Sequence, residues 1–290
     1  MIKALTDFGR MIKFSHTIFA LPFALTAAVL AFTRFPFSWA KIGWIVAAMV
    51  GARSAAMGFN RIADAKWDAR NPRTVKREIP RGAISVEAAG FFVVLSSALL
   101  VFASYQLNLL CFALSPVALG IVFFYSYTKR FTSFAHLFLG LSLGLAPVGS
   151  WMAIGGEFNE SALMLGFAVV AWVAGFDIIY ACQDVDFDRA EGLFSIPSRW
   201  GIARALIVSR FLHGLTVVLL SAVGVSLGLG LLYYTGLAVV AMVLFYEQSL
   251  VRADDFSRVN MAFFNMNGVV SLLFFAATTG DVLILGSPLT

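Results

Sequence analysis

Two acidic runs hold the chemistry available to this chain. Asn60, Asp64 and Asp68 recur every four residues, and Asp184 and Asp188 repeat that spacing. In a helix, residues four apart lie on one face. Each run therefore presents two carboxylates together. Like charges held this close repel unless a cation sits between them. Magnesium suits the arrangement, because it takes oxygen ligands, keeps waters and bridges carboxylates to phosphate oxygens. Asn60, Asp64, Asp68, Asp184 and Asp188 are thus expected to hold magnesium, partly through water or diphosphate, with the four aspartates as catalytic candidates. The competing reading is that these are solvated loop acids. It leaves unexplained why both runs sit at matched ends of apolar segments.

Basic residues lie near both runs. Arg73, Lys76, Arg77 and Arg81 follow the first, and Arg189 follows the second. Arginine suits bidentate phosphate contact, so Arg73 and Arg77 are the preferred diphosphate contacts. Lys129 lies four residues after Tyr125. It would either reach a diphosphate oxygen or anchor a helix end at the membrane interface. Two charges fall inside apolar stretches, where charge is costly and usually functional. Arg53 is eleven residues before Asp64, about 16 Å deeper at 1.5 Å per residue. It suits the acidic group of a second substrate. Asp177 lies seven residues before Asp184 and is a candidate for removing a proton. Both are expected to face a central cavity, or else to pair with each other.

The elements that position these residues are membrane helices. Of 290 residues, 60% are hydrophobic and 13% charged, and the mean hydropathy is +0.87. A soluble domain carries about 25% charged residues, so the excess apolar surface must face lipid. Nine spans are expected near 15–33, 38–59, 86–104, 108–125, 134–154, 161–182, 203–227, 230–247 and 260–285. They form one all-α membrane domain over 1–290. Inner loops are expected at 60–85 and 183–202. The runs are continuously apolar, which disfavours membrane strands.

The net charge of +5 reads as topology rather than as nucleic-acid binding. With the N-terminus inside, the inner segments hold Lys3, Arg10, Lys13, Arg61, Lys66, Arg70, Arg73, Lys76, Arg77, Arg81, Lys129, Arg130, Arg189, Arg199, Arg204, Arg252 and Arg258. The outer loops hold only Arg34 and Lys41, and Arg210 is expected to snorkel near the inner end of its span. This bias puts both acidic runs on the cytoplasmic face. Cys111 and Cys182 show no disulfide or metal pattern, and His16, His136 and His213 show no zinc spacing. Four spans separate the acidic runs, an internal repeat of the kind that places a site at the repeat interface.

With these motifs in view, the chain resembles the UbiA superfamily of intramembrane prenyltransferases over nearly its whole length. The first motif continues as Arg73-Thr74-x-x-Arg77-x-x-Pro80-x-Gly82. The segment Tyr180-Ala181-Cys-Gln-Asp184-Val-Asp-Phe-Asp188 is similar to the family's second motif, and Tyr125-x-x-x-Lys129 to its YxxxK element. The resemblance implies a helical bundle around a central cavity. It also implies Mg²⁺-dependent transfer of a polyprenyl group from its diphosphate to a small carboxylated aromatic acceptor, in a bacterial plasma (inner) membrane. It makes Arg73, Arg77, Tyr125, Lys129 and Tyr180 substrate contacts, and Arg53 the receiver of the acceptor carboxylate.

Relatives similar to the enterobacterial ubiquinone enzyme carry a lysine shortly after the second motif. Here the stretch is Gly192-Leu-Phe194-Ser195-Ile-Pro197, with Arg189 or Arg199 as substitutes. With the opening Lys13-Phe-Ser-His-Thr-Ile-Phe-Ala-Leu-Pro22, this resembles a branch assigned to 4-hydroxybenzoate, part of which serves menaquinone synthesis with a dihydroxynaphthoate. A haem, chlorophyllide or homogentisate acceptor is a further alternative within the family. A diphosphate carrier without chemistry is the alternative outside enzyme function.

Overall fold

The computed structural model describes residues 2–12 and 17–284. Lys13 and His16 lie outside these residues, as do the first four residues of the opening Lys13–Pro22 segment. Side chains are described from Asp7 to Ile12 and from Phe19 onward.

The described chain is helical, with one isolated bridge between Arg252 and Asp255. Its helices are α1 (Ile2–Met11), α2 (Thr17–Phe32), α3 (Trp39–Asp68), α4 (Val86–Leu107), α5 (Leu109–Thr128), α6 (Ala135–Gly155) and α7 (Glu160–Ala181). They continue as α8 (Val185–Ala190), α9 (Ile196–Trp200), α10 (Ile202–Ser226), α11 (Leu231–Ser249) and α12 (Asn267–Ile284). Among the described residues, eight helices are long and apolar enough to cross a bilayer, α12 counted with the turn before it. A further apolar helix, Phe19–Phe32, is shorter than these eight. This is the expected bundle, and the chain is an integral membrane protein. Large apolar side chains such as Phe91, Phe211, Phe245 and Leu283 lie exposed on the outside. That is the surface a hydrocarbon solvent calls for.

Three features depart from expectation. α3 does not stop at 59 but runs to Asp68. Its 30 residues span about 45 Å, against about 30 Å of hydrocarbon. The final turns therefore project past the apolar layer and carry Asp64 and Asp68 on a rigid helix rather than in a loop. Arg61, counted above as a loop base, is buried in this projection. Lys41 belongs to the first turn of α3, where Nζ donates to the Ile154 carbonyl at 2.7 Å. The third departure is a π-helical turn, Met261–Met266, leading into α12. The side-chain amide of Asn267 donates to the Ala262 and Phe263 carbonyls at 3.1 Å each, satisfying groups that such a turn frees.

The bundle closes most tightly where glycine faces backbone. A Cβ at Gly140 of α6 would lie 2.5 Å from the Val170 carbonyl oxygen of α7, and one at Gly144 would lie 2.7 Å from that of Gly166. Gly140 and Gly144 form a GxxxG face, the small-residue spacing that lets membrane helices approach closely. Gly51 of α3 packs in the same way on Leu100 of α4, 2.7 Å from its backbone nitrogen.

At the end bearing the acidic motifs, α1 packs against the bundle. Met11, Ile84 and Ala89 form a small core with Phe8, Ile12, Ile62, Ile79 and Phe92. An Arg81–Asp7 ion pair at 3.1 Å joins α1 to the segment after α3.

Replacing Gly140 by Leu forces α6 away from α7 and is expected to cost on the order of 1–3 kcal/mol. Gly149 faces open space in the same helix, so Gly149→Leu is the control. Thermal unfolding in detergent should show a clear loss of Tm for the first variant and little change for the second.

Candidate active site

α3, α5, α6 and α7 enclose a cavity of about 190 Å³ together with the segments that follow α3 and α7. Asn60, Asp64, Asp68, Arg73, Arg77, Tyr125, Lys129, Asp177, Tyr180, Asp184 and Asp188 all line it. Arg53 does not. It lies half-buried on α3, seven residues below Asn60, the deepest α3 residue on the wall.

The first motif is buried, with Asp64 3% and Asp68 5% exposed. A bare carboxylate there would be costly, and each has a cation. Lys129 Nζ reaches Asp64 Oδ2 at 2.8 Å, and the Asn60 amide donates to the same oxygen at 3.2 Å. Arg77 Nη1 reaches both oxygens of Asp68 at 2.7 Å. Arg130 lies between the Trp67 and Tyr127 rings, 4.4 and 4.5 Å from their centres, and donates to the Ala63 carbonyl at 2.7 Å. Cation–π contact and hydrogen bond together hold this end of α5 on the projecting turns of α3.

The second motif is not one helix. α7 ends at Ala181, a 3₁₀ turn covers Cys182–Asp184, and α8 starts at Val185. Asp184 sits at the junction with φ −102° and ψ 7°. The break still leaves Asp184 and Asp188 on the cavity wall, while Asp186 is exposed. Arg73 forms a bidentate pair with Asp184 through Nε and Nη2, and its Nη1 donates to the Tyr180 hydroxyl at 2.9 Å. Burial opposes the Arg73 charge, but the hydrogen bond and charge of Asp184 outweigh it and raise its pKa above the ordinary value. Tyr180 is held in turn by stacking on Phe263 of the π-turn, with ring centres 4.1 Å apart.

Asn71, Ser195 and His136 complete the wall, and none was singled out from sequence as a site residue. Asn71 donates to Asp184 Oδ1 at 3.2 Å and accepts from the Arg73 amide at 2.8 Å. The Asn71-Pro72 turn signal marked its backbone role, but its partner is 113 residues away. Ser195 caps α9 and donates to Asp188 Oδ2 at 2.9 Å. His136 Nδ1 lies 2.7 Å from Asp177 Oδ2. Asp177 is therefore engaged by a histidine rather than awaiting Arg53.

Neither proposed substitute for the absent lysine reaches the cavity. Arg189 donates to the Ser198 carbonyl at 3.0 Å, and Arg199 stacks on the Phe194 ring at 3.9 Å. Phe194 itself lines the wall, its amide donating to the Lys129 carbonyl at 2.7 Å.

The donor set fits magnesium carried with a phosphate ligand. Five carboxylates and two amides face one small space, and the buried Asp64 Oδ1 has no hydrogen-bond partner among the described residues. Among the described residues, no three acidic, histidine or cysteine side chains converge closely enough to hold an ion alone. Magnesium usually takes one or two carboxylates and completes its shell with water and phosphate oxygen, which these acids could supply together with a bound phosphate. Magnesium with inorganic diphosphate should therefore raise the Tm of the purified protein more than either alone. The gain is about 2.7 kcal/mol at a hundred times Kd. A differential scan of Asp64→Asn should show that gain lost.

Known proteins share this architecture. The model of the UbiA prenyltransferase family matches residues 20–283. The chain is 32% identical to the 4-hydroxybenzoate octaprenyltransferase of Cronobacter sakazakii over 238 residues, 80% of this chain and 81% of the relative. It is 33% identical to the Vibrio parahaemolyticus enzyme of the same name, over 84% of this chain and 85% of the other. The apo structure of a UbiA homolog from Aeropyrum pernix K1 superposes with TM-score 0.84 at 38% identity, covering 92% of this chain and 98% of that one. A UbiA homolog from Archaeoglobus fulgidus, solved with DMAPP and Mg²⁺, shares the fold at TM-score 0.71 and 18% identity, over 96% of this chain and 99% of that one. The chain is an integral membrane enzyme and belongs to the UbiA prenyltransferase family.

Proposed function

We propose that this enzyme transfers a polyprenyl group from polyprenyl diphosphate to an aromatic acid, with 4-hydroxybenzoate the first acceptor. The observation carrying this reading is the single cavity in which both acidic motifs meet Arg73, Arg77 and Lys129. The names of the relatives at 32–33% identity support the aromatic acceptor. The single membrane domain over 1–290, its N-terminus and site cytoplasmic in a bacterial plasma membrane, rests on the distribution of Lys and Arg.

Asn60, Asp64, Asp68, Asp184 and Asp188 would hold Mg²⁺ with the diphosphate. Bound there, magnesium supplies a Lewis acid that offsets charge on the leaving diphosphate. Arg77, Arg73 and Lys129 pair with aspartates of the site, and their donors would turn to diphosphate oxygens. Donors already aimed at the place where charge develops are what stabilises an ionising allylic C–O bond. Tyr125 and Tyr180 line the same wall and add hydroxyls. The cavity is below the roughly 300 Å³ at which drug-sized ligand sites begin. It suits a diphosphate head, and the prenyl tail would leave sideways into lipid. The acceptor would lie beneath the diphosphate, its ring carbon facing the allylic cation. Arg53 would meet the acceptor carboxylate, which requires the chamber to extend about 10 Å below Asn60 at 1.5 Å per residue.

Purified protein given a prenyl diphosphate with 4-hydroxybenzoate and dihydroxynaphthoate in competition should yield magnesium-dependent prenyl-hydroxybenzoate by mass spectrometry. Asp64→Ala should lose at least about 10²-fold in turnover, the scale of losing one electrostatic catalytic group. Full activity in that variant would sink the assignment. A prenyl-naphthoate product would move the acceptor to menaquinone chemistry. Diphosphate flux without product would point to a carrier. Arg53→Ala should raise KM for the acceptor and leave that for the prenyl diphosphate unchanged.

A further inference from the structure

His136 and Asp177 form a dyad on the cavity wall that the diphosphate site does not use. Both come from helices held by glycine contacts. His136 lies one turn from Gly140 on α6, and Asp177 lies two turns from Val170, whose carbonyl faces Gly140. The close approach of α6 and α7 thus sets the dyad's spacing. His136 is 3% exposed, whereas the Asp177 side chain retains 20%.

The second imidazole nitrogen decides the protonation state. The backbone N–H of Ile196 donates to His136 Nε2 at 3.4 Å. A backbone amide can only donate, so Nε2 accepts and the ring hydrogen resides on Nδ1. That hydrogen is donated to Asp177 Oδ2. The imidazole is neutral, with both nitrogens occupied, and cannot itself take a proton without breaking a bond. Among the described residues, only Oδ2 of Asp177 is hydrogen-bonded, which leaves Oδ1 of this wall residue without a partner there. Asp177 lies two turns deeper on α7 than Asp184, at the level where an acceptor ring beneath a diphosphate would sit.

We propose that Asp177 is the proton acceptor of the transfer reaction and that His136 is its positioning residue. This rests on the prenyl-transfer reading above. As the new C–C bond forms, the electron pair of the allylic C–O bond leaves with the diphosphate. The attacked ring carbon then bears both its hydrogen and the prenyl group. Its proton passes to Asp177 Oδ1, and the C–H pair restores the aromatic ring. Asp177 becomes the neutral acid and releases the proton to water at the cavity mouth. His136 stays neutral throughout and fixes the carboxylate's orientation. Ile196 opens α9, whose cap Ser195 holds Asp188. One short segment therefore braces the dyad and the second motif together.

The test uses the acceptor that wild-type protein prenylates, deuterated at the reacting carbon. Wild type should show no isotope effect on kcat, because C–O ionisation limits the rate. Asp177→Asn and His136→Leu should each lower kcat by about 10²-fold. In both, a primary isotope effect should appear while KM for the prenyl diphosphate is kept. His136→Gln should recover most of the loss, because its amide can donate to Asp177 and accept from Ile196. Slow variants without an isotope effect, or with a raised diphosphate KM, would overturn the assignment. So would His136→Gln as slow as His136→Leu. Should His136→Leu fail to fold, Asp177→Asn carries the same readout. Absence of any product from wild type would fail the prenyl-transfer reading itself, which is a different outcome from slow variants.

Discussion

Five carboxylates have to share one small cavity at the edge of a low-dielectric layer, and the structure around them answers that constraint. A buried charge without a partner is among the most expensive defects a protein can carry. Here each acid finds its partner on another segment. Lys129 comes from the end of α5 to Asp64, Arg77 from the chain after α3 to Asp68, and Arg73 from the same chain to Asp184. Ser195 comes from the start of α9 to Asp188. These pairings tie the segments after α3 and α7 to the bundle. The donors that neutralise the acids are the ones proposed above as diphosphate contacts.

The apolar part of the fold serves the same end by geometry. Gly140 and Gly144 let α6 lie against the backbone of α7, and that distance is what allows His136 to reach Asp177. The π-turn Met261–Met266 presents Phe263 to the Tyr180 ring, and Tyr180 accepts from Arg73. Its freed carbonyls are met by Asn267, which is itself held by Trp172 Nε1 at 2.7 Å. Positions deep among the helices thus bear on the orientation of a guanidinium at the mouth.

Much of the site was legible because its signal is local. Spacing by four in Asn60, Asp64 and Asp68 is a property of one helix, and so is the Tyr125–Lys129 pair. Apolar runs of the right length locate membrane helices whatever their neighbours are, and all nine expected spans correspond to helices. Boundaries were less legible. Composition alone does not tell a helix that projects into water from a loop, so the expected span ends at 59 where α3 runs on to Asp68. The 3₁₀ break between Asp184 and Asp188 left no mark in the spacing, since both residues still reach the cavity.

What the sequence by itself determined is the inventory: a membrane bundle, two acidic motifs on one side and the cations beside them. Only the tertiary structure decided who meets whom. It paired Asp177 with His136, a residue whose sequence context carried no signal, because the contact depends on two glycines letting separate helices touch. It turned Arg189 and Arg199 away from the cavity and brought in Asn71 and Ser195, whose partners lie on other segments or across a helix start. Those choices are made by packing between elements distant in sequence. The spacing of residues within one element does not encode them.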